Sequence, residues 1–304
     1  MGQRPSALWR RWRHHGTVGC LPRVRRDPRQ GARPRRGARR VAAVTHAVYC
    51  DGDYLVGDVP VFGAFSPATR SGVGVFESFA GSVGGVPTLA RHVDRLQWAA
   101  GRCGALPLPA TDFDAVFREL HNRAGLARAR CRITLYPSEV RPRLVCTVEP
   151  LPEPLADIAL CTSPFRRGVN DPTSALKLES RAFYEVAVAD ARARGGDDAL
   201  LVGDDGEVRE TTRANVFLQH DSGSVHTPTL TDHFLAGITR AVLLEALRGR
   251  GHSVRERTVG RDELFDASAV FVTNAVQGVV PVRELDGRPL RRLARDEVWT
   301  DLLP

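Results

Sequence analysis

Lysine is almost missing from this chain. Of the 43 lysine and arginine side chains among its 304 residues, Lys177 is the only lysine. Either residue serves as a solvated surface charge. Arginine cannot serve where an amine must shed its proton and attack a carbonyl, because guanidinium stays charged at any working pH. Lys177 is therefore either a chance survivor of arginine-biased codon usage or a lysine kept for Schiff-base chemistry. Composition alone leaves both readings open.

Other absences narrow the class. No stretch approaches the roughly 18 apolar residues that a membrane-spanning helix needs, and the apolar share of 42% suits a soluble globular chain. The six cysteines (Cys20, Cys50, Cys103, Cys131, Cys146, Cys161) are scattered without a C-x-x-C pair. Neither a disulfide framework nor a zinc site is suggested, no metal is expected, and a reducing cytoplasm fits.

Acidic residues are nearly absent from one segment only. Residues 1–43 hold 13 arginines and a single acid, Asp27, whereas the rest of the chain holds 30 basic and 34 acidic side chains. The net charge of +8 thus belongs to an arm, and the remainder is mildly acidic. The arm lacks apolar periodicity and cannot build a core. Arg10-Arg11 has the look of a twin-arginine signal, but no apolar h-region follows. A disordered arm, an organellar leader and a misassigned start remain, and the natural opening strand at "VTHAVYCDGDYLV" favours the third. Arginines without interleaved aromatics give only non-specific attraction to nucleic acid, so no nucleic-acid partner and no membrane partner is expected.

The length allows one large or two ordinary domains. "AVYCDGDYLVGDVPV" alternates apolar and polar residues around Asp51-Gly52-Asp53, a hairpin signal. "GVGVFESFAGSVGGVPTLA" (72–90) reads as a second hairpin turning at Gly81, Gly84 and Gly85. "ARHVDRLQWAAGRCG" and "DFDAVFRELHNRAGL" are amphipathic helices. Strands follow at "ARCRITLYPS", "PRLVCTVEPL" and "DIALCTSPF", making the first half α+β with a mostly antiparallel sheet. After the turn-rich segment 166–175 come a helix through about Arg194, a hairpin turning at Asp205-Gly206 and strands near 214–219 and 224–227. A helix opening at "GITRAVLLEAL" and strands at 253–258 and 269–273 complete the chain.

Four pieces carry chemistry in combination, although each has a bland reading. Arg95 on its helix is ordinarily solvated, and Glu210 at a strand end is ordinarily a surface acid. Gly237, Ile238 and Thr239 at a helix start offer free N–H groups and a hydroxyl, which many helix starts share. Lys177 is the fourth. The order of G-x-G-V-F-E, an R-L helix, the lysine, E-x-x-x-x-N-x-F 33 residues on and then G-I-T-R resembles the class IV aminotransferases. These are fold-type IV pyridoxal-phosphate enzymes that include branched-chain and D-amino-acid aminotransferases and aminodeoxychorismate lyases. The resemblance runs from about Val48 to Pro289.

The resemblance implies an α/β (α+β) fold of two α/β domains, 44–165 and 176–304, joined by the 166–175 loop, with pyridoxal 5'-phosphate in the interdomain cleft. Lys177 is the implied catalytic residue, holding the cofactor as an aldimine and shuttling the Cα proton. Glu210 would pair with the pyridine nitrogen, with Asn215 supporting it. Arg95, Gly237, Ile238 and Thr239 would bind the phosphate. On the substrate side the chain departs from the best-known members. Ala182 stands where branched-chain enzymes have a tyrosine, Ala80 where they have an arginine, and Tyr136 where D-amino-acid enzymes have an arginine. Arg132, Tyr136 and Arg181 are candidate carboxylate contacts, beside a carboxylate-binding turn at Asn274, Ala275 and Val276. "VTNAVQGVVPV" and Arg181 four residues after the lysine lean toward the lyases. The expectation is a cytoplasmic homodimer that transfers an amino group between an amino acid and a 2-oxo acid. Pyruvate elimination of the lyase type is the alternative, and a non-catalytic scaffold or RNA-binding protein on the same fold a remote one.

Overall fold

The computed structural model describes residues 46–291 except 106, 138–141, 169–170 and 231–233. The arginine-rich arm and the question of the start therefore lie outside the described residues. The elements in chain order are β1 (Ala47–Cys50), β2 (Asp53–Val56), α1 (Pro67–Ser71), β3 (Val75–Ser82), α2 (Leu89–Arg102), α3 (Phe113–Ala124), β4 (Arg128–Tyr136) and β5 (Arg143–Glu149). They continue as β6 (Ile158–Thr162), α4 (Ala182–Ala193), β7 (Asp198–Val202), β8 (Val208–Thr211), β9 (Asn215–Gln219), β10 (Val225–Pro228) and α5 (Ile238–Gly249). The last are β11 (Val254–Arg257), α6 (Glu263–Asp266), β12 (Ala269–Asn274), β13 (Gly278–Leu285) and β14 (Arg288–Pro289).

The first hairpin forms as its turn residues require. Cys50 pairs with Asp53, and the two loop residues, Asp51 and Gly52, take positive φ of 51° and 113°. That backbone matches the right-handed twist of the flanking strands. β1 then joins an all-antiparallel sheet in the order β2-β1-β5-β4-β3. Alternation gives this sheet two faces. Val75, Phe79, Cys131, Ile133 and Leu135 pack with Leu96, Ala100, Phe117 and Leu120 of α2 and α3. The even-numbered positions of β3 and β4 face the other way.

The second hairpin does not form. β3 runs on to Ser82, and after a tight Ser82–Gly85 bridge the chain goes straight into α2. The partner of β3 is β4, from Val75↔Leu135 to Ser82↔Arg128. Pro87 has no N–H to give a returning strand, and Leu89 is buried as the first core position of α2.

The second sheet is mixed, in the order β11-β10-β9-β12-β13-β6-β7-β8, with β14 on β13. β6, read from sequence with the first half, pairs here in parallel with β13 and β7. An additional pairing of β8 with β9 closes the path from β9 through β12, β13, β6 and β7 into a ring. Its interior is filled by Leu160, Leu200, Val202, Val216, Leu218, Val272 and Val280, among others. The helix expected straight after 175 starts only at Ala182, because residues 177–179 are taken up by β3.

Candidate active site

Lys177 lies on a strand-like segment along the open edge of β3. Phe76 N donates to the Lys177 carbonyl and Glu179 N to the Gly74 carbonyl, each at 2.9 Å, with Val75 opposite Leu178. Alternation puts Lys177 and Glu179 on the face turned away from α2 and α3. The amine lies 4.7 Å from the centre of the Phe76 ring. Its dense surroundings, and after them the charge of Arg95, lower its pKa to about 7 against the pull of Glu77. Some of the side chain remains accessible. An accessible amine that is half deprotonated at neutral pH is a nucleophile.

Below it, α2 places two residues one turn apart on one buried carboxylate. Arg95 Nε and Nη2 donate to Glu77 at 2.8 and 2.7 Å, and His92 Nδ1 lies 2.7 Å from Glu77 Oε2. This fixes the guanidinium, whose Nη1 donates to the Ala236 carbonyl at 2.5 Å. Ala236 immediately precedes Gly237, the N-cap of α5, which has no side-chain cap. The first bond of that helix is Ala241 N to the Gly237 carbonyl at 3.0 Å, so the N–H groups of Ile238, Thr239 and Arg240 precede it. An uncapped helix start, a hydroxyl at Thr239 and a clamped arginine beside them suit a phosphate-sized anion.

Glu210 is the penultimate residue of β8 and is buried. Its hydrogen bonds are long: Leu235 N donates at 3.4 Å and the Tyr184 hydroxyl at 3.5 Å. Burial raises its carboxyl to about 7, ahead of the opposing Leu235 N–H and the positive charges of Lys177, Arg167 and Arg181. A buried carboxylate with such weak partners is suited to a cationic N–H. Asn215, its register partner across β9, donates through Nδ2 to the Leu235 carbonyl at 3.0 Å. Lys177, Glu210, Arg95, Asn215 and the start of α5 are thus brought to one place.

The substrate-side candidates divide. Arg132 and Tyr136 join Lys177 on the same sheet face, both held by Glu179: Arg132 Nη2 donates at 2.8 Å and the Tyr136 hydroxyl at 3.2 Å. Arg181 lies on the Glu210 side, donating to the Thr212 carbonyl at 2.6 Å and stacking 4.4 Å above the Tyr184 ring. In the turn between β12 and β13, Asn274 Oδ1 accepts from Val276 N at 2.9 Å and from Gln277 N at 2.8 Å. The Ala275 carbonyl accepts from Ala80 N at 2.7 Å, tying the turn to β3. The N–H of Val276 is therefore engaged by Asn274 here.

Sequence reasoning missed Tyr184, Arg167, His92 and Glu179 as site residues. It looked for a tyrosine at position 182; Tyr184, two residues on, reaches Glu210 and accepts from Arg167 Nη1 at 2.7 Å. A tyrosine within the first turn of the helix that follows the lysine was the available signal, since the chain has only four. His92 stands three residues before Arg95, the i, i+3 spacing that shares a helix face. Among the described residues no cluster of histidine, cysteine and carboxylate side chains could hold a metal ion. No described helix is long and apolar enough to cross a membrane.

Residues 74–285 match the sequence model of the family described as amino-transferase class IV. Over 269 residues the chain is 28% identical to a putative branched-chain-amino-acid aminotransferase of Methanocaldococcus jannaschii, covering 84% of this chain and 93% of that protein. A branched-chain aminotransferase from Thermoproteus uzoniensis, solved with norvaline, superposes with a TM-score of 0.76 at 25% identity, covering 84% of this chain and 92% of that one. An aminotransferase from Brucella abortus, solved bound to the co-factor PLP, gives a TM-score of 0.76 at 28% identity, with coverages of 84% and 97%.

Proposed function

The chain belongs to the class IV aminotransferase family, and on that premise we propose a pyridoxal-phosphate-dependent enzyme that moves an amino group between an amino acid and a 2-oxo acid, with branched-chain amino acids as first candidates. The observation that carries this is Lys177, the single lysine, with its amine held near neutrality and its charge felt by the buried Glu210. The candidate substrates follow the names of the relative from Methanocaldococcus jannaschii and the structure from Thermoproteus uzoniensis.

The residues present fit the cofactor. A reactive amine, a weakly partnered buried carboxylate and an uncapped helix start answer its aldehyde, its ring nitrogen and its phosphate in turn. Bound there, pyridoxal phosphate supplies an electron sink for the substrate's Cα. Lys177 would hold the cofactor through its amine and would move the proton at the substrate's Cα. Glu210 keeps a negative charge at the ring nitrogen. Arg95, Ile238 and Thr239 hold the phosphate behind Gly237, and Asn215 fixes the loop at Leu235 that faces Glu210. The turn at Asn274–Val276 would seat the substrate carboxylate, which has to take the Val276 N–H from Asn274 Oδ1 to bind there. The reading takes the enzyme to be a cytoplasmic homodimer with two lobes, one built on the antiparallel sheet and the other on the ring with β6 included, and sedimentation analysis tests the dimer.

The experiment is a half-reaction. Protein reconstituted with pyridoxal phosphate is mixed with L- and D-amino acids, and loss of the cofactor's visible band with 2-oxo acid release is expected. The lyase alternative rests on the Thr273–Gly278 turn sequence. It predicts pyruvate and an aromatic amine from aminodeoxychorismate with no 2-oxo acid required. Inertness toward every amino acid and toward aminodeoxychorismate defeats both.

A further inference from the structure

We propose, resting on the aminotransferase reading, that Glu179 sets the choice of substrate side chain: by holding Arg132 and Tyr136 it makes the wall beside Lys177 accept uncharged side chains and reject a second carboxylate. Glu179 is fixed by the backbone bond from its N–H to Gly74, two residues after Lys177 on the same face. Across the sheet, Phe76 faces Thr134, and Ser78 faces Arg132. Arg132 lies 3.6 Å above the same Phe76 ring that the Lys177 amine approaches from 4.7 Å. The Arg132–Glu179 pair therefore stands one aromatic ring away from the reacting amine.

The pair is partly withdrawn from water, with 21% and 23% of the two side chains exposed. Tyr136 closes the far side. A Cβ on Gly74 would lie 2.7 Å from its ring, so the ring covers the glycine directly beside Glu179. Phe62 packs edge-on against it, with centroids 4.4 Å apart. An aliphatic side chain entering from Lys177 meets the Phe76 and Tyr136 rings and disturbs no ionic contact. A side chain ending in a carboxylate finds the cation of this wall, Arg132, already paired, while Arg181, which the amine also feels from the Glu210 side, is turned to the Thr212 carbonyl. To take Arg132 it must displace Glu179, which strands one carboxylate beside another in a partly desolvated wall.

The test uses the holoenzyme and its half-reaction with two probes of similar length, L-norvaline and L-glutamate. The wild type is expected to favour norvaline in kcat/KM by at least about tenfold, a margin below the full cost of like-charge juxtaposition because the wall is only partly desolvated. Glu179→Gln frees Arg132 and should raise the glutamate-to-norvaline ratio by about tenfold or more. In the Arg132→Gln background the same change should leave the ratio where it is. A wild type that uses both probes equally, or a ratio unmoved by Glu179→Gln, overturns the proposal. Should Glu179→Gln fail to retain cofactor, the wild-type holoenzyme still decides through calorimetric binding of valerate against glutarate, with valerate expected to bind more tightly. If neither probe nor any other L- or D-amino acid changes the cofactor spectrum, the aminotransferase reading fails, while the valerate–glutarate comparison continues to test the charge selection.

Discussion

Glu210 and Asn215 face each other as register partners across β8 and β9, and that pairing closes the ring of the second sheet. The same turn thus supplies the carboxylate of the site and the amide that touches the start of α5. Gly237 shows how close the contact is, since a Cβ there would lie 1.9 Å from Asn215 Oδ1. Asn215 is buried and anchored to the Leu235 carbonyl, so it has little room to yield. Gly237→Ala should break that anchor at a cost of about 1–3 kcal/mol and weaken cofactor affinity about tenfold or more. Removing the obstruction with Asn215→Ala in the same chain should restore part of it. Equilibrium binding of pyridoxal phosphate to the three variants checks the order.

Because the chain has one lysine, its state can be read without ambiguity. The rate of acylation of Lys177 in apo-protein, followed by mass spectrometry across pH, should rise to a midpoint near 7. An ordinary lysine titrates near 10.4, so roughly a thousandfold more free amine is present at neutrality than in an exposed peptide. Burial contributes the largest part and Arg95 the next; Arg95→Gln should move the midpoint upward. A midpoint near 10 would mean that the amine is not enclosed as described. With cofactor added, borohydride reduction should leave the adduct on Lys177 alone.

Glu210 and Arg95 should fail in opposite ways. Glu210→Gln keeps the shape and removes the charge proposed to face the cofactor's ring nitrogen. Turnover should fall by about 10² or more, roughly 3 kcal/mol of barrier, with cofactor largely retained. Arg95→Ala should weaken cofactor retention more than it slows turnover at saturating cofactor. Stopped-flow turnover and cofactor titration on both variants separate the electronic role from the anchoring one. Near-native turnover in Glu210→Gln would remove Glu210 from the site.

The parts of this architecture legible in the sequence were those written locally. The Asp51-Gly52 turn, the periodicity of α2 and α3 and the Asp205-Gly206 hairpin all declare themselves within a few residues. The set Lys177, Glu210, Arg95 and Gly237–Thr239 was legible through its order along the chain. What stayed hidden depended on pairing across distance. β3 has the pattern of a hairpin arm, and only its long register with β4 shows that no return strand exists. β6 carries no mark of which sheet it will join. Glu179 reads as a surface acid until the bridge between Val75 and Leu178 turns it toward Arg132. Tyr184 acquires its meaning from Arg167 and Glu210, 17 residues before it and 26 after.

Glu77 gives a prediction about stability that needs no cofactor. Burial alone would raise its carboxyl; Arg95, through charge and hydrogen bonds, and then His92 overcome this and hold it at about 2, against 4.5 for an ordinary glutamate. The folded state therefore binds fewer protons than the unfolded state between those two values. The stabilisation is complete above about 4.5 and is lost as pH falls through about 2. The difference corresponds to about 3 kcal/mol. Glu77→Gln cannot ionise and lacks this contribution at every pH. Urea unfolding of apo-protein at pH 5 should place the wild type above Glu77→Gln by an amount of that order, and the gap should narrow steadily toward pH 2.5. Taking the difference between the two chains cancels the other carboxylates, which titrate in both. A gap that stays constant across this range would mean that Glu77 is not charged against Arg95, and the clamp that aims Arg95 at the start of α5 would need another explanation.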